Sequence, residues 1–575
     1  MVFDRLVSSV FFRNNFINNL QTNTAYPMKN TIVLLLISLA SCKVAQKTTI
    51  PAWTPYDESD ELAKNAKHES PRMRYKLIQS RNLDKNELWK QIAGQLTNFR
   101  ATDYQALKPL ILEQDIPTLQ ANIQSGTLTY EKLTQWYLYR IATFENNRAT
   151  TLNNIIAINP NAVAEARQRD KNKSTATHPI YGMPIILKDN INLNGLPTTA
   201  GAQAFSNNSN TKDAFIVDQL QAKGAIILAK ANLSEWANFM CLDCPNGYSA
   251  MGGQTLNPYG RGQFDTGGSS SGSGSSVAAN YAAGAVGTET SGSILSPASA
   301  NSLVGLKPTT GLLSRGGIVP ISSTFDTPGP MTRTVTDAAI LLSAMAGEDP
   351  TDPATKGNPK NKTYWQDVKT GSLKGIRFGA YKPLLKDTTY ALNVEKIRSL
   401  GGTVVDIDME QAANEGFSTL LNADMNIDLP NYIKNYGSAA LPYRSVSDIL
   451  AYNQQDSTRR MPYGQGRIAG VTKTTTSPEE MAQLRSTIRK NGALYFEKPM
   501  QANQLDVILS INNRSAGLAA AANYPCLTVP MGYKTNGEPI GLTFIARPFE
   551  EDKLLKIGYA YEQATKARKL PDAYN

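Results

Sequence analysis

The stretch Tyr181-Gly182-Met183-Pro184-Ile185-Ile186-Leu187-Lys188-Asp189-Asn190 decides the reading of the fold. Glycine and proline punctuate its start, an apolar run follows, and the run stops on a lysine. A short apolar run bounded by turn formers predicts a buried strand over Pro184–Leu187, ending at Lys188. Outward from it, Ala214–Lys223 has helical periodicity, Ala225–Leu228 is a second short strand, and Ser234–Phe239 starts another helix. Upstream, Asn154–Ile158 reads as a strand and Asn161–Lys171 as an alanine-rich helix. The same grammar returns late in the chain, with strands at Val507–Ile511, Cys526–Val529 and Gly541–Ile545 and a helix over Leu554–Arg568. Such alternation predicts an α/β fold: a single large mixed, mainly parallel twisted sheet covered by helices on both faces. Residues 350–500, richer in Asn, Gln, Ser and Tyr, read as elaboration over one face of that sheet.

Composition bounds the chemistry. The chain has 575 residues, 41% hydrophobic and 18% charged, enough apolar material for a sizeable core and incompatible with overall disorder. Four cysteines exclude a disulfide scaffold. Two histidines argue against a multi-histidine metal site and against a Ser-His-Asp mechanism. The net charge of +10 comes from 58 Lys+Arg against 48 Asp+Glu. The basic residues are scattered, with no Lys/Arg block, zinc-finger spacing or aromatic-basic alternation, so no nucleic-acid partner is expected.

The N-terminal region divides into an uncertain upstream extension over 1–27, a signal segment over 28–42, and a tether with helical extension over 43–109. Met28-Lys29-Asn30 precedes an apolar run from Ile32 to Leu39, too short for a bilayer span, and then Ala40-Ser41-Cys42. Leu39-Ala40-Ser41-Cys42 resembles a bacterial lipobox. The expectation is an exported lipoprotein anchored to the membrane through Cys42, facing the periplasm or the cell exterior. Further on, two amphipathic helices between 111 and 147 are broken at Gly126. Cys241 and Cys244 form one C-x-x-C, too few ligands for zinc; two free thiols are expected there, with a local disulfide as the alternative in an exported chain.

The segment Gly267-Gly268-Ser269-Ser270-Ser271-Gly272-Ser273-Gly274-Ser275-Ser276 alone would read as a flexible linker. Its setting contradicts that. A helical run is predicted over Val277–Ala285, a second small-residue turn follows at Gly287–Ser293, and Glu289 is the only charged residue from Thr266 to Leu306. No G-x-x-x-x-G-K-[ST] is present, so a phosphate cradle is not indicated. A serine needs a base to become a nucleophile, and without histidine the candidate is lysine. A reference pKa near 10.4 leaves about one lysine in 2,500 neutral at pH 7, a cost of roughly 4.6 kcal/mol. Burial away from carboxylates lowers that cost. Lys188, at the carboxyl end of its strand, sits where α/β proteins place their ligand crevices. Asp189 would defeat the scheme if it paired with Lys188, but strand neighbours point to opposite faces.

These residues resemble the amidase signature family over 110–572, the expected amidase domain. The resemblance rests on an ordered set: Gly182–Asn190, Lys230-Ala231-Asn232-Leu233-Ser234-Glu235-Trp236, Gly267–Gly274, Gly287–Ser293, Gly305-Leu306-Lys307-Pro308-Thr309 and Gly329-Pro330-Met331-Thr332-Arg333. Tyr524-Pro525, Val529-Pro530 and Pro539-Ile540-Gly541-Leu542 extend it. The family implies a Ser-cisSer-Lys triad with Ser293 as nucleophile, Ser269 as the bridging residue after a cis peptide, and Lys188 as general base. It implies an oxyanion hole from the N–H groups of Thr290, Ser291, Gly292 and Ser293, and Ser270 as a supporting partner of the lysine. Neither metal nor cofactor is implied. Ser291 stands where many members have glycine, and Leu295 where several have arginine, which leaves substrate anchoring open. The variant is similar to the peptide-amidase-like branch. The implied function is hydrolysis of peptide or small-molecule amides. The alternatives are a glutaminase subunit of a tRNA-dependent amidotransferase and a non-catalytic binding lipoprotein.

Overall fold

In the computed structural model, residues 48–173, 177–359, 363–410 and 415–575 are described. The leader, Cys42 and most of the expected tether lie outside them. The strands are β1 (Ile155–Ile158), β2 (Pro184–Lys188), β3 (Ile226–Ala231), β4 (Tyr248–Ser249), β5 (Gly253–Gln254), β6 (Gly284–Glu289), β7 (Val304–Lys307), β8 (Thr327–Thr332), β9 (Arg377–Tyr381), β10 (Thr403–Ile407), β11 (Val507–Ile511), β12 (Cys526–Tyr533) and β13 (Pro539–Ile545). All but the small β4–β5 pair form one 11-stranded sheet in the order β1-β3-β2-β6-β8-β7-β12-β13-β11-β9-β10. Residues of β2, β3, β6, β7, β8 and β13 are buried along their whole length. Because alternate side chains point to opposite faces, both faces of the sheet are covered.

The α/β class and the mixed sheet agree with the sequence, whereas the expected parallel majority does not. Among the described residues, four neighbouring pairs in the large sheet are parallel, namely β2–β3, β2–β6, β9–β10 and β9–β11. The other six are antiparallel. A parallel neighbour requires a crossover, usually a helix, while an antiparallel one needs only a turn or loop. No helix lies between β7 and β8 or between β12 and β13. Lys534–Gly537 closes the latter pair, with Lys534 and Glu538 joined through their backbone.

Local chemistry sets the helix ends. Asp115 accepts from the Thr118 N–H to start Ile116–Gln124, and Thr129 accepts from Lys132 N–H to start Tyr130–Glu145. Gly126, at φ +80°, separates them as the sequence predicts. The helix expected over Val277–Ala285 instead occupies Ser271–Ala278, within the Ser/Gly segment itself, and Gly284 already begins β6. Ser and Gly are weak helix formers, but close approach overrides propensity here. A Cβ on Gly272 would lie 2.4 Å from the Asn232 carbonyl oxygen, so only glycine fits that helix against its neighbour.

The middle region differs from expectation as well. It does lay helices, including Phe417–Tyr436 and Pro478–Ala502, into a second apolar cluster with Trp236, Phe239 and Met240. It also supplies β9 and β10, which extend the sheet to one edge. Upstream, Leu88, Trp89, Ile92 and Leu96 belong to the main core.

Candidate active site

The run Ile185-Ile186-Leu187 buries β2 between β3 and β6 and leaves Lys188 at its carboxyl end, 0% exposed. Its Nζ lies 2.8 Å from Ser269 Oγ, 2.8 Å from Thr288 Oγ1 and 3.1 Å from the Thr288 carbonyl oxygen. No carboxylate lies within ion-pair distance of Lys188 among the described residues. Asp189 points the other way, as strand alternation requires, and pairs with Lys230 at 3.1 Å while accepting from Thr199. Burial pushes the Lys188 amine down to about 7, opposed by the more distant charges of Asp326 and Glu289.

The three oxygens around Nζ would take the three N–H groups of an ammonium, and they also accommodate a neutral amine. A neutral lysine has two N–H donors and one lone pair. The two oxygens of Thr288 can take both donors, which leaves the lone pair facing the Ser269 hydroxyl.

Ser269 is fully buried, and the Gly268–Ser269 peptide is cis. Its carbonyl oxygen accepts from Ser234 N–H at 3.0 Å. The next residue, Ser270, donates its N–H to the Ser293 carbonyl oxygen at 3.2 Å, which brings the Ser/Gly segment and the Ser293 turn together. Ser270 reaches the lysine through a shared acceptor: its hydroxyl donates to the Thr288 carbonyl oxygen at 3.1 Å, and it accepts from Thr288 N–H at 3.2 Å. A Cβ on Gly287 would lie 2.9 Å from Ser270 Oγ, so this contact depends on glycine in β6.

Ser293 is 8% exposed and lies on the turn between β6 and the helix Leu295–Ala300. Glu289, the lone charge of this region, shapes the turn. Its carboxylate accepts from the N–H groups of Gly292 at 2.6 Å, Ile294 at 2.7 Å and Leu295 at 3.0 Å. This corrects one expectation: the Gly292 N–H is committed to Glu289, leaving the amides of Thr290, Ser291 and Ser293 as oxyanion candidates. Ser291 is exposed and avoids positive φ; Gly292 takes it instead, at +95°, so serine is tolerated at 291. Leu295 is fully buried in an apolar cluster and is a packing residue. The Thr290 hydroxyl donates to Asp326 at 2.5 Å. Asp326 also lines a cleft of about 430 Å³ with Ser322, Asp428, Tyr432 and Tyr436.

Thr288 and Asn190 were not singled out in the sequence. Asn190 donates from Nδ2 to Thr288 Oγ1 at 3.0 Å, fixing the hydroxyl that faces Lys188. The available signal was pairing register: Leu187 lies opposite Val286 on β6, so the end of β2 must meet the residues just after Val286. The pair Cys241–Cys244 is a disulfide, in place of the expected two thiols. Their Cα atoms lie 5.5 Å apart, within ordinary bridging range.

The chain matches the Amidase family over residues 132–510. It is 37% identical over 479 residues to a protein named "Probable amidase" from Arabidopsis thaliana, covering 80% of this chain and 92% of the relative. An amidase family protein from Bacillus anthracis superposes with a TM-score of 0.82 at 37% identity, over 86% of this chain and 100% of that one. The native peptide amidase from Stenotrophomonas maltophilia does so with a TM-score of 0.76 at 39% identity, over 80% and 98%. The chain belongs to the amidase signature family and is an enzyme that hydrolyses amide bonds.

Proposed function

We propose that this enzyme hydrolyses peptide amides or small aryl and aliphatic amides through an acyl-enzyme on Ser293. The observation that carries the reading is the fully buried Lys188 amine, 2.8 Å from Ser269 Oγ and without a carboxylate partner among the described residues. Lys188 takes the Ser269 hydroxyl proton as Ser269 takes that of Ser293, and Ser293 Oγ attacks the amide carbonyl carbon. With the amine near 7, about half of it is neutral at pH 7, so most of the roughly 4.6 kcal/mol cost of an ordinary lysine disappears. The oxyanion is held by the amides of Thr290, Ser291 and Ser293. The C–N bond then breaks while Ser269 returns a proton to the departing nitrogen. Water, activated through the same pair, releases the carboxylic acid and restores Ser293. The cleft lined by Asp326, whose carboxylate accepts from the Thr290 hydroxyl, is our candidate for the part of the substrate beyond the scissile bond. The lipobox-like segment supports export and anchoring through Cys42, and a Cys241–Cys244 disulfide suits an oxidising compartment.

The test is ammonia or amine release from peptide amides, aryl amides and glutamine by the wild type and by Ser293→Ala. The expected result is release from peptide or aryl amides that falls by at least about a thousand-fold in the variant. Equal release by Ser293→Ala refutes the assignment. Turnover of glutamine alone, with a copurifying partner subunit, establishes the amidotransferase reading instead.

A further inference from the structure

We infer that Arg72, upstream of the family-matched residues, is a positioning residue for Ser269. The inference rests on the bridging role proposed above. The segment from Pro71 to Asn82 lies along the loop that carries β4 and β5. Ile78 accepts from Gln254 N–H at 2.8 Å, Ser80 Oγ donates to the Met251 carbonyl oxygen at 2.6 Å, and Asn82 Nδ2 donates to that of Ala250 at 2.8 Å. Met73, Tyr75, Leu77 and Ile78 bury their side chains along it. Arg72, at the start, donates from Nη1 to Asn246 Oδ1 at 2.9 Å.

Asn246 connects that guanidinium to the serine. It is 9% exposed, and its Nδ2 donates to both carboxylate oxygens of Asp265, at 2.9 and 3.2 Å. Asp265 in turn accepts from Gly267 N–H at 2.8 Å. Arginine only donates and a carboxylate only accepts, so the two together fix which way the Asn246 amide points. The other grip on the segment is Ser234, whose N–H donates to the Ser269 carbonyl oxygen and whose Oγ accepts from Gly247 N–H at 2.8 Å. Between the grips, a Cβ on Gly268 would lie 2.6 Å from Ser234 Oγ and 2.9 Å from Asn246 Oδ1. The peptide that sets the Ser269 side chain is therefore packed directly against the amide that Arg72 orients. Burial pushes the Asp265 carboxyl up, and the Gly267 N–H, the Asn246 amide and the Arg72 charge all oppose that push. Of those three opposing influences on Asp265 the Arg72 charge is the smallest, so the contribution of Arg72 is its hydrogen bond to Asn246 Oδ1, which also accepts from Asn238 Nδ2 at 3.2 Å.

Arg72 is exposed, so its removal spares the core. In the full chain, Arg72→Ala lowers kcat about five-fold with KM changed less than about two-fold, as expected when one charge-assisted hydrogen bond to a supporting group is lost. The melting temperature stays at the wild-type value. Arg72→Lys recovers most of kcat, and added guanidinium partly restores Arg72→Ala. Arg74→Ala, whose guanidinium donates to the His68 and Glu69 carbonyls and among the described residues to no other group, behaves as wild type. Three results overturn the inference: wild-type kcat in Arg72→Ala, an equal loss in Arg74→Ala, or a kcat loss that tracks a fall in melting temperature. If Ser293→Ala abolishes turnover while Arg72→Ala is silent, only this inference fails. If Ser293→Ala remains active, the reading beneath it fails.

Discussion

Two lysines lie at the carboxyl ends of neighbouring strands of the same sheet, both fully buried, and their surroundings differ. Lys230 on β3 faces the Asp189 carboxylate at 3.1 Å and the Thr198 hydroxyl at 2.9 Å. Among the described residues, Lys188 on β2 faces only hydroxyl and carbonyl oxygens. Burial lowers the pKa of each amine, but at Lys230 an adjacent carboxylate pulls it back, while at Lys188 the opposing acids are remote. Burial alone therefore does not make a base. The β-strand alternation that sends Asp189 to the opposite side from Lys188 pairs that carboxylate with Lys230 and leaves Lys188 without it, as the proposed proton transfer requires.

The strongest way to break that contrast is to remove each lysine in turn. Lys188→Ala should lose about a thousand-fold or more in kcat, the range expected for deleting a general base, and melt near the wild-type temperature. Lys230→Ala should instead lose about 3–5 kcal/mol of stability in denaturant titration, because Asp189 is left buried without its partner. Loss of activity without loss of stability in Lys230→Ala, or the reverse in Lys188→Ala, would dissolve the distinction.

Glu289→Gln comes next in size. The carboxylate accepts three backbone N–H groups in the Ser293 turn. A glutamine amide turns one of its two ends into a donor, which must face at least one of those N–H groups. The expected cost is about 1–3 kcal/mol in stability and about ten-fold or more in kcat, as the turn carrying Ser293 loosens. Chemical denaturation and steady-state kinetics measure the two effects, and wild-type kcat in the variant would show that the turn holds itself.

Much of the sheet was legible because short apolar runs between turn formers are distinctive: β2 and β11 fall where the sequence placed them. The edge strand β10 and its neighbour β9 were not; β10 shows only one fully buried side chain and so lacks the apolar run that marks a central strand. The helix at Ser271–Ala278 was misplaced because propensity opposes it and only backbone contact with Asn232 explains it. Within the site, Lys188, Ser269 and Ser293 stood out through ordered motifs. Thr288 and Asn190 act across a strand pair, and the donor role of Gly292 was decided by the direction of its N–H toward Glu289. Neither property exists in one dimension.

The finest test of the lysine contrast is Thr288→Val. The Thr288 hydroxyl accepts from Lys188, and an acceptor stabilises an ammonium more than a neutral amine. For the wild type, kcat/KM should rise with pH through about 7, as the amine loses its proton, and then level off. Valine keeps the shape but removes the acceptor, so the ammonium is stabilised less and the rise should move to lower pH. The plateau should fall only a few-fold, since the Thr288 carbonyl oxygen still receives one N–H of the amine. The two profiles therefore draw together on the acid side while separating on the basic side. A rise displaced upward, or a wild-type profile flat from about pH 5 to 10, would mean that a group other than Lys188 carries the proton.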